Sequence, residues 1–161
     1  MTCFVDASHG TDKITRRSHT GYIIFANNAP ISRFSKRQNT VETSTFGAEL
    51  VALRIATEKV RDLRIKLQLF GIPIEGPTYV LCNNESVMKS TSNVEATLSK
   101  KHQVICWHAV REAAAGGWIR IGQEPTETNT ADIFTNNLDN ERRRRILRMI
   151  FPRYQSDDDK G

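Results

Sequence analysis

Four positions in this chain carry oxygen-bearing side chains inside or beside apolar runs. Asp6 follows Cys3-Phe4-Val5, and Glu49 sits within Ala48-Glu49-Leu50-Val51-Ala52. Asn83 follows Thr78-Tyr79-Val80-Leu81-Cys82, and Asp132 lies within Ala131-Asp132-Ile133-Phe134. A carboxylate among apolar neighbours is poorly solvated unless it is paired or bound to a cation. Clustered carboxylates are hard oxygen ligands suited to Mg²⁺. Two such ions about 3.5–4 Å apart can activate water and stabilise the leaving oxygen in phosphodiester hydrolysis. Each acid also has an ordinary structural explanation. Asp6 fits a strand-ending turn residue. Glu49 and Asp132 fit first-turn acids favoured by the helix dipole. Residue types and spacing alone leave both readings open.

Other chemistries have less support. Cys3, Cys82 and Cys106 are far apart, form no C-x-x-C pair and are odd in number, which argues against a disulfide framework and for a reducing, intracellular setting. His102 and His108 have no cysteine pair to complete a tetrahedral zinc site. No apolar run is long enough to span a bilayer, so no membrane association is expected. The chain enters a strand-like run almost at once, as expected of a piece of a longer polyprotein. Net charge is +5 and the pI is near 9.3, which favours a polyanionic partner such as nucleic acid, although a solvated basic surface explains the same surplus.

These side chains need elements to position them. Cys3-Phe4-Val5 reads as a strand ending at Asp6. Gly21–Ala26 and Ile31–Ser35 read as a hairpin around Asn27-Asn28-Ala29-Pro30. A long helix follows, capped by Thr43 or Ser44, striped by Leu53, Ala56, Val60, Leu63 and Leu67, and ended near Gly71. Thr78–Cys82 is the fourth strand. Helices are expected over Glu85–Ser90 and Leu98–Ala115, and a fifth strand over Trp118–Ile121. Thr130 is expected to cap a short helix carrying Asp132, and Glu141–Phe151 to form a last helix before a disordered acidic end. The expected layout is a domain over residues 1–138 with an extension over 139–161. Early strands followed by alternation predict an α/β fold, a mixed sheet with helices on its faces.

Spaced strings add a resemblance to this reading. Arg16-Arg17-Ser18-His19-Thr20-Gly21-Tyr22 resembles the R-R-S-x-x-G-Y string of ribonuclease H (RNase H) domains from copia-type retrotransposon Pol polyproteins. Ile31-Ser32 to Gln38, Thr40-Val41 and Ala48-Glu49-Leu50-Val51-Ala52-Leu53 are similar to further strings of that family. So are Cys82-Asn83-Asn84-Glu85-Ser86, Lys101-His102 with His108 and Val110-Arg111-Glu112, and Ala131-Asp132-Ile133-Phe134-Thr135. They occur in the family's order over residues 4 to 138. The resemblance implies an RNase H-like fold: a five-stranded mixed sheet, its first three strands antiparallel, flanked by helices. It implies cleavage of the RNA strand of an RNA–DNA hybrid, with Mg²⁺ as cofactor and Mn²⁺ as substitute, in a chain whose reverse transcriptase domain lies upstream. It implies a virus-like particle or the nucleus as the setting.

The family's metal-binding acids map onto Asp6, Glu49, Asn83 and Asp132. The third is an aspartate in the family and an asparagine here. An amide keeps the shape and one weak oxygen ligand but loses the charge. Impaired catalysis is the expectation, and a catalytically inactive hybrid-binding or structural module is the alternative. Glu85, two residues on, is a poorly placed substitute. Phe46-Gly47 and Asn136-Asn137 also depart from the family strings. Hybrid contacts should be mainly to phosphates and 2′-hydroxyls, with Asn84, Ser86, Arg16, Arg17, Lys36 and Arg37 as candidates. The run Arg142–Arg145 lies past the matched strings and reads equally as a solvated helix face. Trp107 and Trp118 read as core residues.

Overall fold

A computed structural model describes residues 1–93, 95–98 and 103–152. Strands β1 (Thr2–Ser8), β2 (His19–Ala26) and β3 (Ala29–Arg37) pair in sequence order as an antiparallel meander. Asn27 and Asn28, at φ 47° and 63°, make the two-residue turn between β2 and β3. Asparagine tolerates this left-handed conformation, which matches the twist of a tight hairpin. β1 runs past Asp6 because Ala7 and Ser8 continue the ladder against Thr20 and His19. The acid expected to end the strand therefore stands inside it, and turn chemistry does not explain it.

Helix α1 (Thr45–Leu69) starts at Ser44, whose hydroxyl accepts from the Gly47 N–H at 3.2 Å. It ends in a Schellman arrangement, with Gly71 at φ +75° and the Ile72 N–H bonded to the Leu67 carbonyl at 3.0 Å. The apolar stripe is real: Leu53, Ala56 and Val60 are fully buried. Strand β4 (Thr78–Cys82) then pairs in parallel with β1, and β5 (Ile119–Gln123) in parallel with β4. The sheet order is β3-β2-β1-β4-β5. This is the five-stranded mixed sheet with an antiparallel first half.

Several boundaries differ from expectation. Helix α2 covers Glu85–Ser92, two residues longer than read, and the Thr91 hydroxyl donates to the Val87 carbonyl at 2.7 Å. Helix α3 covers Val104–Ala115; Leu98 is not helical, and residues 99–102, with Lys101-His102, lie outside the described residues. β5 begins after Trp118, whose carbonyl instead accepts from Thr78 N–H at 3.0 Å. The segment carrying Asp132 is a 3-10 helix, Thr130–Phe134, and its cap is Asn129, not Thr130. Asn129 wins because its amide works twice: Oδ1 accepts from Ala131 N–H at 3.1 Å, and Nδ2 donates to the Val5 carbonyl at 3.0 Å. Helix α4 covers Asn140–Ile150, capped by Asp139. The acidic end, residues 153–161, lies outside the described residues.

Alternate residues of a strand face opposite sides of the sheet. Cys3 and Val5 of β1, with Tyr22 and Ile24 of β2, join α1 and α3 in the main core. On the other face, Ile23 meets Ile146 and Ile150 of α4, with Phe4, Phe25, Ile133 and Phe134 around them. Trp107 is in the main core, its indole N–H donating to the Ser90 carbonyl at 3.1 Å. Trp118 packs against the same core.

Candidate active site

The site forms where the middle strand passes between α1 and the 3-10 helix. Asp6 sits on β1 with both neighbours, β2 and β4, in place, and is 1% exposed. Its Oδ1 accepts from the Asn83 amide at 3.3 Å. Its Oδ2 accepts from the Thr135 hydroxyl and from the Asn136 amide, the latter at 3.4 Å. Burial raises the Asp6 carboxyl above its ordinary pKa; the Thr135 bond opposes this, and the Asp132 charge adds to it.

Glu49 projects from α1 and is 4% exposed. Burial, then repulsion from Asp6, pushes its pKa well above the ordinary carboxylate value, while a bond from the Ala7 backbone N–H opposes the shift. Neither Asp6 nor Glu49 has an ion-pair partner among the described residues. Asn83 lies just beyond β4 and turns its NH₂ group to Asp6. An aspartate there could not donate that bond.

Asp132 is 4% exposed and differently served. Its Oδ1 accepts from the Asn136 amide at 2.5 Å, and its Oδ2 lies 2.6 Å from an Arg142 guanidinium nitrogen. The Arg142 contact is an ion pair without hydrogen-bond alignment, since Oδ2 has no hydrogen-bond donor. Asn136 thus bridges Asp6 and Asp132. The four positions picked out in the sequence converge at one place, linked through Asn83, Asn136 and the Ala7 backbone.

Two glycines permit close approaches, and the first makes this convergence possible. Gly21 stands opposite Asp6 in the β1–β2 ladder. A Cβ there would lie 2.7 Å from Thr135 Cγ2 and 2.8 Å from Phe134 Cβ. Only a bare backbone lets the 3-10 helix lie on β2, which brings Thr135 and Asp132 to Asp6. Gly47 stands where a Cβ would meet the Gln103 and Glu42 side chains at 2.1 and 2.5 Å. That bond between Gln103 Nε2 and Glu42 Oε2, 3.1 Å long, ties α3 to the loop before α1. It gives the Phe46-Gly47 departure a structural reason.

The donor set suits a hard divalent cation at one end only. Asp6 and Glu49 are buried carboxyls with raised pKa values and no basic partner among the described residues, and a bound cation would favour their charged forms. Asp132 already has Arg142 and Asn136. Among the described residues no group of three or more His, Cys, Asp or Glu is close enough to hold a metal. Asn83 brings no charge to the site, and Asp132 is engaged by Arg142 and Asn136. Glu85 is no substitute: it is exposed on α2 and pairs with Lys89 at 2.6 Å.

The candidate nucleic-acid contacts fall around the same end of the sheet. The rung of Asp6 continues through Gly21 to Ser35, and the next two rungs end in Lys36 and Arg37. Lys36 is exposed, while Arg37 pairs with Asp12. Asp12 also orders the loop holding Arg16 and Arg17, through backbone bonds to both. Asn84 spends its carbonyl oxygen on the Val87 N–H, capping α2, and Ser86 is exposed in that helix's first turn. Sequence reasoning missed Thr135, Asn136 and Arg142 as members of the site. Thr135 stood within a matched string and Asn136 was marked as a departure. Arg142 had no signal in a run of four arginines.

No protein-family model matches the chain. The chain is 27% identical over 138 residues to the retrovirus-related Pol polyprotein from transposon RE1 of Arabidopsis thaliana, covering 86% of this chain and 9% of the relative. It is 28% identical over 132 residues to the retrovirus-related Pol polyprotein from transposon TNT 1-94 of Nicotiana tabacum, covering 82% of this chain and 10% of the relative. The chain therefore spans about a tenth of the length of these curated relatives. Among solved structures it is similar to RNase H1 from the halophilic archaeon Halobacterium salinarum, at a TM-score of 0.63 and 16% identity over 84% of this chain and 93% of that one. It is similar also to the foamy viral protease-reverse transcriptase in complex with RNA/DNA hybrid, at a TM-score of 0.58 and 18% identity over 83% of this chain and 19% of that one. The antiparallel-then-parallel sheet gives the chain the fold of these solved RNase H structures, and its sequence is similar to one segment of retrovirus-related Pol polyproteins from transposons.

Proposed function

We propose that this domain binds RNA–DNA hybrid and is built to hydrolyse its RNA strand with divalent cations, at a rate cut severely by Asn83. The observation that carries the reading is the meeting of Asp6, Glu49 and Asp132 with Asn83 at one end of the sheet. RNase H1 LC11 has been solved with RNA/DNA hybrid, and this chain is similar to it at a TM-score of 0.63. Lys36, Arg37, Arg16 and Arg17 would meet phosphates near that end, and Asn84 and Ser86 would meet the strand beside β4.

Asp6 and Glu49 would hold a cation such as Mg²⁺ or Mn²⁺, with the Asn83 amide oxygen as a weak third ligand if the amide turns over. When bound, such ions supply water activation and stabilisation of the leaving oxygen. The chain's own work is positional. Thr135 and Asn136 hold the Asp6 carboxylate by hydrogen bonds, and the Ala7 N–H holds Glu49. Asn83 donates a hydrogen bond to Asp6, so part of the lone-pair capacity that should draw a cation is spent inside the protein. Loss of one metal position removes several kcal/mol of transition-state stabilisation, and each ~1.4 kcal/mol is a tenfold rate loss.

The same reading puts a reverse transcriptase domain upstream in a longer polyprotein. It divides the chain into a domain over residues 1–138 and an extension beginning at 139, whose helix α4 seals the second face of the sheet. No helix among the described residues is long and apolar enough to cross a membrane. The test compares this chain with Asn83→Asp on a labelled RNA–DNA hybrid with Mg²⁺ or Mn²⁺. Cleavage faster by orders of magnitude in the revertant is expected. Equal cleavage in both would remove Asn83 from the account. If neither cleaves nor binds hybrid in a salt-sensitive way, the reading fails altogether.

A further inference from the structure

The last helix reaches back into the site. Arg142, in the first turn of α4, sends its guanidinium to within 2.6 Å of Asp132 Oδ2. The same terminal nitrogen donates to the Thr126 carbonyl at 2.9 Å, so the group is held between a loop and an acid. Its backbone N–H is fixed by the Asp139 cap at 2.8 Å. Arg145 adds a second strut, donating to the Glu127 carbonyl at 3.2 Å. The helix is anchored beneath by Ile146 and Ile150, 0% and 3% exposed. The contact is therefore built into the packing of α4 and is not a loose surface pair. It is also imperfect: Arg142 Nε is buried without an acceptor, and Oδ2 lacks an aligned donor. A cation that approached Asp132 would meet a guanidinium already there, held by an ion pair that can be released.

We propose that Arg142 is a positioning residue that occupies the Asp132 side of the site as a resident cation, competing with a divalent ion for that carboxylate. The proposal rests on the functional reading above and deepens it. The two halves of the site then load unequally. A first ion is drawn by Asp6 and Glu49, which have no basic partner among the described residues. A second must displace Arg142 from Asp132. Arginine suits this role because its charge is permanent and one terminal nitrogen lies between the Thr126 carbonyl and the carboxylate. A lysine, as a point charge on a flexible stem, would hold both less well.

The experiment measures Mn²⁺ binding to the whole chain by the loss of the free-ion paramagnetic resonance signal, without hybrid and without turnover. It compares the unaltered chain with Arg142→Gln, Arg142→Lys and Arg145→Gln, each checked for fold by circular dichroism. Arg142→Gln should bind a further Mn²⁺ about tenfold more tightly, a coupling of ordinary size for two ligands sharing one group. Arg142→Lys should fall between, and it keeps the test open should the glutamine variant not fold. Arg145→Gln also loses a loop contact but does not touch Asp132, and should bind as the unaltered chain does. Unchanged Mn²⁺ binding in folded Arg142→Gln and Arg142→Lys overturns the inference. An equal shift in Arg145→Gln also overturns it, since the loop alone would then explain the effect. Failure of the functional reading looks different: no Mn²⁺ bound by the unaltered chain, by Asn83→Asp or by any arginine variant.

Discussion

The two halves of the candidate site use the same residue type in opposite ways. Asp6 and Glu49 are buried acids that face each other with hydrogen-bond donors but no cation among the described residues. Asp132 is equally buried, yet α4 supplies it with an arginine and the chain just past the 3-10 helix supplies an amide. Burial alone therefore does not decide whether a carboxylate is a liability or a brace. The neighbouring element does. Where α1 meets β1, two carboxyls are buried without a cationic partner among the described residues, so ionising them is disfavoured and both pKa values rise. Where α4 meets the 3-10 helix, the charge is neutralised and ties two elements together.

This contrast can be broken by substitution. The largest effect belongs to Asn83→Asp, which adds a third acid to the unpaired half and should raise hybrid cleavage by orders of magnitude, read on a labelled substrate. Next is Asp132→Asn, which leaves Arg142 beside a neutral amide. It should lower stability by about 1–3 kcal/mol, less than for a wholly buried pair because the arginine is 29% exposed. Denaturant unfolding checks it.

Gly21→Ala should cost about 1–3 kcal/mol by overpacking against Thr135 and Phe134. It should also weaken Mn²⁺ binding, because the 3-10 helix is pushed from β1. Glu49→Gln should act with the opposite sign to Asp132→Asn, raising metal-free stability at neutral pH by about 0.5–2 kcal/mol while abolishing metal binding. The sign follows from linkage. Glu49 has a folded pKa above its unfolded value, so folding takes up a proton. That contribution is complete below the unfolded carboxylate pKa, about 4.3, and is lost as pH rises through the folded value. Glu49→Gln should flatten that decline, as melting curves across pH would show. If Asp132→Asn and Glu49→Gln shift stability the same way, the contrast between the halves is wrong.

The smallest effect concerns thiols. Burial pushes Cys82 up to about 12 and raises Cys3 further, whereas Cys106 is only partly buried. Timed alkylation of the native chain near pH 8 should label Cys106 first, with Cys3 and Cys82 reacting only on unfolding.

Much of this arrangement was legible in the chain itself. The strands, the long helix and its caps follow from local signals: alternating apolar residues, Asn27-Asn28 at the hairpin, Ser44 and Gly71 at the helix ends. The acids Asp6, Glu49 and Asp132 announced themselves by standing in apolar company. Asn83 stood out because the string that Cys82-Asn83-Asn84-Glu85-Ser86 resembles has an aspartate at that position. Local pattern also misled at Asp6, read as ending a strand it lies within, and at Thr130, read as a cap that Asn129 provides.

Residue order thus determined which side chains could meet and which element would carry each one, because period, capping and turn preference act over a few neighbours. It did not determine what each acid would find on arrival. Asn136 reaches Asp6 across 130 positions, and Arg142 reaches Asp132 because Ile146 and Ile150 anchor α4 on the far face of the sheet. Those partnerships depend on how packed elements are set against one another in space. Only the folded arrangement could settle which buried carboxyl lacks a cationic partner and which has one.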